Sequence, residues 1–308
     1  MASGQVTRAK LTSNLKKDSI KSSLDGNTQL IYYYRSSVKK SMPLIVQLHP
    51  WSYDVDSLRT MGFDVEAISK NLNYIFPNFR GANNHVKACC SDYVISDIDE
   101  AIDWAIKNMK VDKTQIYVVG VSGGGYATLA MYMKSRHNIN AFSAWVPISD
   151  LEKWYFEYNK RKNKYPSEII KCTSETDSFD LIKVRERSPI NWTTPISKRK
   201  NTILQIFAGI HDGHSGNGPV PISQSINFYN KLLADNGVSD SSAYVSKKDL
   251  LDMINQQTLA GSTHLKIGDR AIYCQRQTKL LMLTIFEGGH EILSKEVLGY
   301  IDQMNGTR

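Results

Sequence analysis

Short apolar runs rich in β-branched residues alternate along this chain with segments whose apolar positions recur every three to four residues. The first kind reads as strands buried on both faces, the second as amphipathic helices packed over them. Six runs qualify as strands: P-L-I-V-Q-L-H-P (43–50), L-N-Y-I-F-P (72–77), Q-I-Y-V-V-G-V (115–121), A-F-S-A-W-V-P-I (141–148), T-I-L-Q-I-F-A-G (202–209) and L-L-M-L-T-I-F-E (280–287). A further run, Q-L-I-Y-Y-Y-R (29–35), predicts an antiparallel edge strand. Over 96–109, Ile98, Ala101, Ile102, Ala105 and Ile106 fall on one helical face. A second helix is predicted from Ser122 to Ser135, and a third over 223–237, closed by Gly237 where a left-handed residue commonly ends a helix. The alternation defines an α/β fold, a mostly parallel central sheet flanked by helices.

Two stretches interrupt the pattern. Residues 151–200, opening L-E-K-W-Y-F-E-Y-N-K-R, are rich in aromatics and charge with little strand signal, and read as an insertion placed to act as a cap. Residues 239–279 form a second insertion, in which I-G-D-R (267–270) is a turn between two short strands. No repeat or low-complexity linker divides the chain. The expectation is one domain over 26–308, after an N-terminal extension (1–25) that need not be ordered.

Composition changes this picture little. A chain with 41% hydrophobic and 22% charged residues is ordinary for a globular protein. No apolar run approaches the ~18 residues of a membrane helix, so no membrane partner is expected. The N-terminal segment lacks the apolar core of a secretory signal, which leaves a cytoplasmic protein or a secreted one written without its signal. The net charge is +8, with basic clusters at Lys160, Arg161, Lys162 and Lys164 and at Lys198, Arg199 and Lys200. Without interleaved aromatics these read as solvated surface, and no nucleic-acid partner is expected. Cys89, Cys90, Cys172 and Cys274 contain no C-x-x-C pair, which argues against a metal ribbon or a dithiol redox motif. Whether they form disulfides stays open.

The chemistry concentrates around V-V-G-V-S-G-G-G-Y (118–126), where Ser122 stands among glycines directly after a strand. A G-x-S-x-G turn between strand and helix holds a serine hydroxyl out at the top of a sheet. That hydroxyl needs a base, and the base needs an orienting acid. The chain supplies Asp212 after the strand ending at Gly209 and His290 after the last strand, in the order nucleophile, acid, histidine of an α/β-hydrolase. His211 and His214 are the rival bases and Asp150 the rival acid. Asp150 reads better as a helix N-cap, and Asp97, Asp99 and Asp103 as helix-start charges. Gly123 and Trp51 are the expected oxyanion donors, the latter because Pro50 has no N–H.

With these residues in place the chain resembles the catalytic domain of the prolyl oligopeptidase family. The carrying motifs are F-P-N-F-R-G (76–81), G-V-S-G-G-G (120–125), Asp212 followed by V-P-I-S-Q-S (220–225), and G-G-H (288–290). The resemblance implies an α/β-hydrolase with cap-like insertions, acting through an acyl-enzyme without cofactor or metal. Three departures turn the expectation toward stand-alone relatives such as carbohydrate esterases: H-P-W-S replaces the usual His–Gly, the acid loop is lengthened by G-H-S-G-N-G, and no propeller-like segment precedes the domain. Trp51, Tyr53, Trp145, Trp154, Tyr155 and Tyr158 are candidates to stack on sugar rings, with core packing as their competing role. Trp51 and Trp154 are preferred because they fall on predicted loops. The expected substrate contacts are Trp51, Tyr53, Trp154, His211 and His214, and the expected reaction is hydrolysis of a glycan or similar small ester. The alternative is a serine peptidase of the aminopeptidase kind. An acyltransferase and a non-catalytic binding protein complete the range.

Overall fold

A computed structural model of the protein describes residues 14–57, 60–159, 163–176, 178–214, 217–256, 264–297 and 299. Its strands are β1 (Lys16–Lys21), β2 (Thr28–Tyr34), β3 (Met42–Leu48), β4 (Asn73–Pro77), β5 (Val111–Val121), β6 (Ala141–Trp145), β7 (Ile203–Gly209), β8 (Lys266–Ile267), β9 (Arg270–Gln277) and β10 (Leu281–Phe286). They form one sheet in the order β1-β2-β4-β3-β5-β6-β7-β10-β9-β8. The strands from β4 across to β10 run parallel, and the antiparallel pairs lie at the two ends.

Two expectations change here. The run at 29–35 is not an edge, because β1 pairs with it from Lys16↔Tyr33 to Lys21↔Thr28. The N-terminal extension expected over 1–25 therefore contributes a strand; its polar sequence hid the element because an outer strand with five exposed residues in six needs no apolar alternation. Residues 1–13 lie outside the described residues.

Alternation along the strands builds two cores. Leu44, Val46, Leu48, Val118 and Phe142 face one way, under α2 (Asp92–Asn108), α3 (Gly123–Lys134) and α8 (Ile222–Asp235). Ile45, Tyr74, Tyr117, Val119 and Trp145 face the other, under Phe63 and Ala67 of α1 (Phe63–Ser69). Trp145 stacks on Phe207 with centroids 4.1 Å apart. Each fully buried Phe of this kind contributes about 1.5–3 kcal/mol.

Helix α2 begins earlier than its stripe predicts, at Asp92, because the Ser91 hydroxyl accepts from the Val94 N–H and caps it. Asp97 is not a helix-start charge but a buried anchor. It accepts from Arg80 Nε at 2.6 Å and from Ser22 Oγ at 2.6 Å, while Arg80 reaches Asp25 at 2.7 Å. Asp99 likewise accepts from Ser135 Oγ at 2.5 Å.

The cap over 151–200 holds α4 (Leu151–Asn159), α5 (Tyr165–Thr173), α6 (Leu181–Glu186) and α7 (Ile196–Arg199). A disulfide joins Cys89, in the loop before α2, to Cys172 of α5; Cys90 and Cys274 are buried thiols. Burial lifts the Cys90 thiol pKa to about 12. The second insertion contributes α9 (Lys247–Gln256) and the predicted β8–β9 turn. Among the described residues no helix is long and apolar enough to cross a membrane.

Candidate active site

Parallel strands deliver every expected catalytic residue to one end of the sheet. Ser122 follows β5, Asp212 follows β7, His290 follows β10, and the His49–Trp51 loop follows β3. β3 and β5 are neighbours whose chains continue to opposite sides, toward β4 and toward β6. Loops leaving such a switch point diverge and open a crevice. The Ser122 turn and the Trp51 loop form its two lips.

Ser122 sits at φ 59° and ψ −119°, a conformation L residues rarely adopt. Its N–H donates to the Trp145 carbonyl at 2.9 Å and its carbonyl accepts from Tyr126 N at 2.9 Å, so backbone bonds hold the strained turn. The next residue, Gly123, is the first of α3, where an N–H has no intrahelical partner. A Cβ there would stand 2.2 Å from Trp51 N, so only glycine lets the two backbones approach this closely. The backbone at Gly123 is thus brought against the Trp51 N. His49 supports this loop from below: its buried ring stacks on Phe79 at 3.9 Å and lies within 3.0 Å of the Pro50 carbonyl. Burial pushes its imidazole pKa down.

Asp212 Oδ2 lies 2.7 Å from His290 Nδ1, and Oδ1 accepts from Val220 N at 3.1 Å. Burial lifts the Asp212 carboxyl above its ordinary range, and the His290 contact opposes that shift. Gly218 packs closely against this pair: a Cβ on it would stand 2.1 Å from Asp212 Oδ1. Asp150, the rival acid, accepts from Lys153 N at 3.0 Å at the start of α4 and serves as a cap.

A cavity of about 280 Å³ holds Ser122 and His290 together with Trp51, Ser52, Tyr53 and Tyr165. The cap closes over it. Trp51 Nε1 donates to Glu168 at 2.8 Å, Lys164 to Ser52 Oγ at 2.6 Å, and Trp154 Nε1 to the Pro219 carbonyl at 2.7 Å.

Several expected substrate contacts change. Trp154 lies on α4, not a loop, and is 1% exposed; Trp145, Tyr155 and Tyr158 are buried as well. Trp154, Tyr155 and Tyr158 pack into the core that runs under the cap, and Trp145 into the core on the other face of the sheet. His211 does not line the cavity, and its ring meets Glu287 at 2.6 Å. His214 is likewise absent from the lining and bridges to Asn217. Tyr165 and Met61 line the cavity without having been foreseen, since neither stands in a motif. Lys160, Arg161 and Lys162 lie outside the described residues.

Sheet order, elbow and loop placement define an α/β-hydrolase. The prolyl oligopeptidase family model matches residues 61–248, and the chain belongs to that family of serine hydrolases. Acylamino-acid-releasing enzyme 1 of Oryza sativa subsp. japonica is 26% identical over 220 residues, covering 64% of this chain and 26% of that protein. A puromycin-hydrolyzing peptidase of Mycobacterium tuberculosis is similar in fold, with TM-score 0.54, 16% identity and 72% of this chain covered against 34% of its own. The acylaminoacyl peptidase of Pyrococcus horikoshii gives TM-score 0.52, 18% identity and coverages of 72% and 35%. The chain spans about a quarter of the curated relative and about a third of these solved chains.

Proposed function

We propose that the chain is a serine peptidase that releases an amine from a short peptide or acyl-amino acid with an apolar group next to the scissile amide. Ser122 Oγ attacks the carbonyl carbon while His290 takes its proton. The Gly123 and Trp51 N–H groups hold the resulting oxyanion. The C–N bond then breaks, His290 returns the proton to the leaving amine, and water repeats the sequence on the acyl-enzyme. Asp212 keeps His290 in the tautomer whose Nε2 can accept.

The observation that carries this reading is the 2.7 Å Asp212–His290 pair opening on the cavity that also holds Ser122. Family membership favours the peptidase alternative over the glycan esterase. The burial of Trp154, Tyr155 and Tyr158 also removes most of the surface on which sugar stacking was expected. Acylated substrates fit better than free amino termini. An ammonium would need a carboxylate, and no acidic side chain is among the described residues lining the cavity. Glu168, just behind Trp51, is taken by the indole N–H and by Lys164.

The test compares kcat/KM on N-acetyl-phenylalanyl anilide, phenylalanyl anilide and a matched phenyl ester, each over its uncatalysed rate and with Ser122→Ala as the blank. Serine-dependent cleavage fastest on the acetylated anilide is expected. Greater acceleration on the ester than on either amide returns the assignment to an esterase. A preference for the free amine makes it an aminopeptidase.

A further inference from the structure

At the end of the sheet opposite Ser122, the start of β5, the segment leading into β6, and α7 with the turn into β7 enclose a depression of about 460 Å³. Lys113, Lys198 and Lys200 line it with Thr114, Asn140 and Asn201, and no acidic side chain is among its described lining residues. Lys113 lies before the regular part of β5, and Ile116–Val121 alone spans roughly 17 Å at about 3.3 Å per residue before Ser122, so the site is separate from the catalytic cavity.

What sets these lysines apart is that three of them share one depression. Lys87, Lys153, Lys231 and Lys248 each meet a carboxylate. Lys113, Lys198 and Lys200 have no ion-pair partner among the described residues. The nearby Asp112 carboxylate is spent within its own turn, accepting from Thr114 Oγ1 at 2.7 Å and Gln115 Nε2 at 2.6 Å. Beneath them the buried Arg199 guanidinium donates to the carbonyls of Tyr132, His137, Met131 and Ser135 and forms no ion pair among the described residues, the Asp99 carboxylate acting on it only at longer range. Burial, then Arg199, pushes the Lys198 ammonium pKa down, while Asp99 opposes the shift.

The frame is also fixed in advance. Thr202 Oγ1 donates to the Ile139 carbonyl at 3.0 Å, Ile203 N to the Asn140 carbonyl at 3.0 Å, and Asn140 N to the Ile116 carbonyl at 2.9 Å. A ligand would therefore order side chains but little backbone. The exposed cations are all lysines, compact point charges suited to a tetrahedral oxyanion, whereas a planar carboxylate is better matched by a guanidinium fork.

We propose that this depression binds a phosphate or sulfate group carried by a larger ligand, at a site independent of the catalytic centre. The chemistry is shared by a phosphorylated metabolite and a sulfated glycan, and the probes separate the two.

Pyrophosphate and a sulfated trisaccharide are titrated calorimetrically at low ionic strength into three proteins. These are the wild type, the triple variant Lys113→Gln/Lys198→Gln/Lys200→Gln, and a charge-matched control, Lys171→Gln/Lys247→Gln/Lys279→Gln. Saturable binding of at least one probe is expected in wild type and control, weakened at least about tenfold in the site variant. Anilide kcat/KM should be unchanged in all three, which verifies folding. Equal loss in the two variants means diffuse attraction to a basic surface and overturns the site. So does the absence of saturable binding of either probe to the wild type.

Discussion

Replacing Asp212 by Asn tests the triad at its least exposed member. The carboxylate is 2% exposed, with Oδ2 at 2.7 Å from His290 Nδ1 and Oδ1 accepting from Val220 N. An amide has one acceptor where the carboxylate has two. If its oxygen keeps Val220, its NH2 faces Nδ1 and His290 must carry its proton on Nε2, where it cannot accept from Ser122. If the amide turns round, NH2 meets the Val220 N–H and a buried donor goes unpaired, at a cost of about 1–3 kcal/mol. In serine-protease triads the wrong tautomer lowers kcat by about four orders of magnitude. At 1.36 kcal/mol per tenfold that is about 5.4 kcal/mol of barrier. The assay is kcat on the acetylated anilide at saturation, with circular dichroism and thermal melting to verify folding. Asp150→Asn is the control: its side chain caps α4 at Lys153 N, which an amide oxygen does equally well, so kcat should stay within about twofold. A folded Asp212→Asn enzyme retaining more than about a tenth of wild-type kcat would refute the tautomer argument. A larger loss at Asp150 would move the acid there.

Gly123→Ala should lower kcat by about 10²–10³-fold with little change in KM, because the new methyl displaces Trp51 and spoils an oxyanion donor. A rate within threefold of wild type would show that the Trp51 N–H takes no part. The Cys89–Cys172 bridge closes a loop with a sequence separation of 83. Cys172→Ser should cost about 2–4.5 kcal/mol in urea unfolding, and reduced wild type should unfold at the same midpoint as the variant. An unchanged midpoint would mean the two thiols are not bonded in the native protein.

Most strands of the sheet, and the three residues expected to form a triad, stood out in the sequence for a local reason. A strand buried on both faces is an apolar run, and a serine in a glycine turn, an aspartate and a histidine each follow such a run. Burial at that scale is written into neighbouring residues. Element pairing is not. β1 carries no apolar signal and exists because β2 offers it an edge. The reversal between β3 and β5, which opens the crevice, is a property of sheet order. Aromatic residues read the same in a pocket as in a core. Only packing separated Tyr53 and Tyr165 at the cavity from Trp154 and Tyr158, buried on the cap's own helix. The Cys89–Cys172 pairing and the Asp25–Arg80–Asp97 cluster join residues far apart in the chain, and no spacing rule encodes them. The sequence by itself determined which residues could carry out the chemistry. The tertiary structure decided which of them share a cavity, because loop closure and side-chain burial are settled across the sheet rather than along the chain.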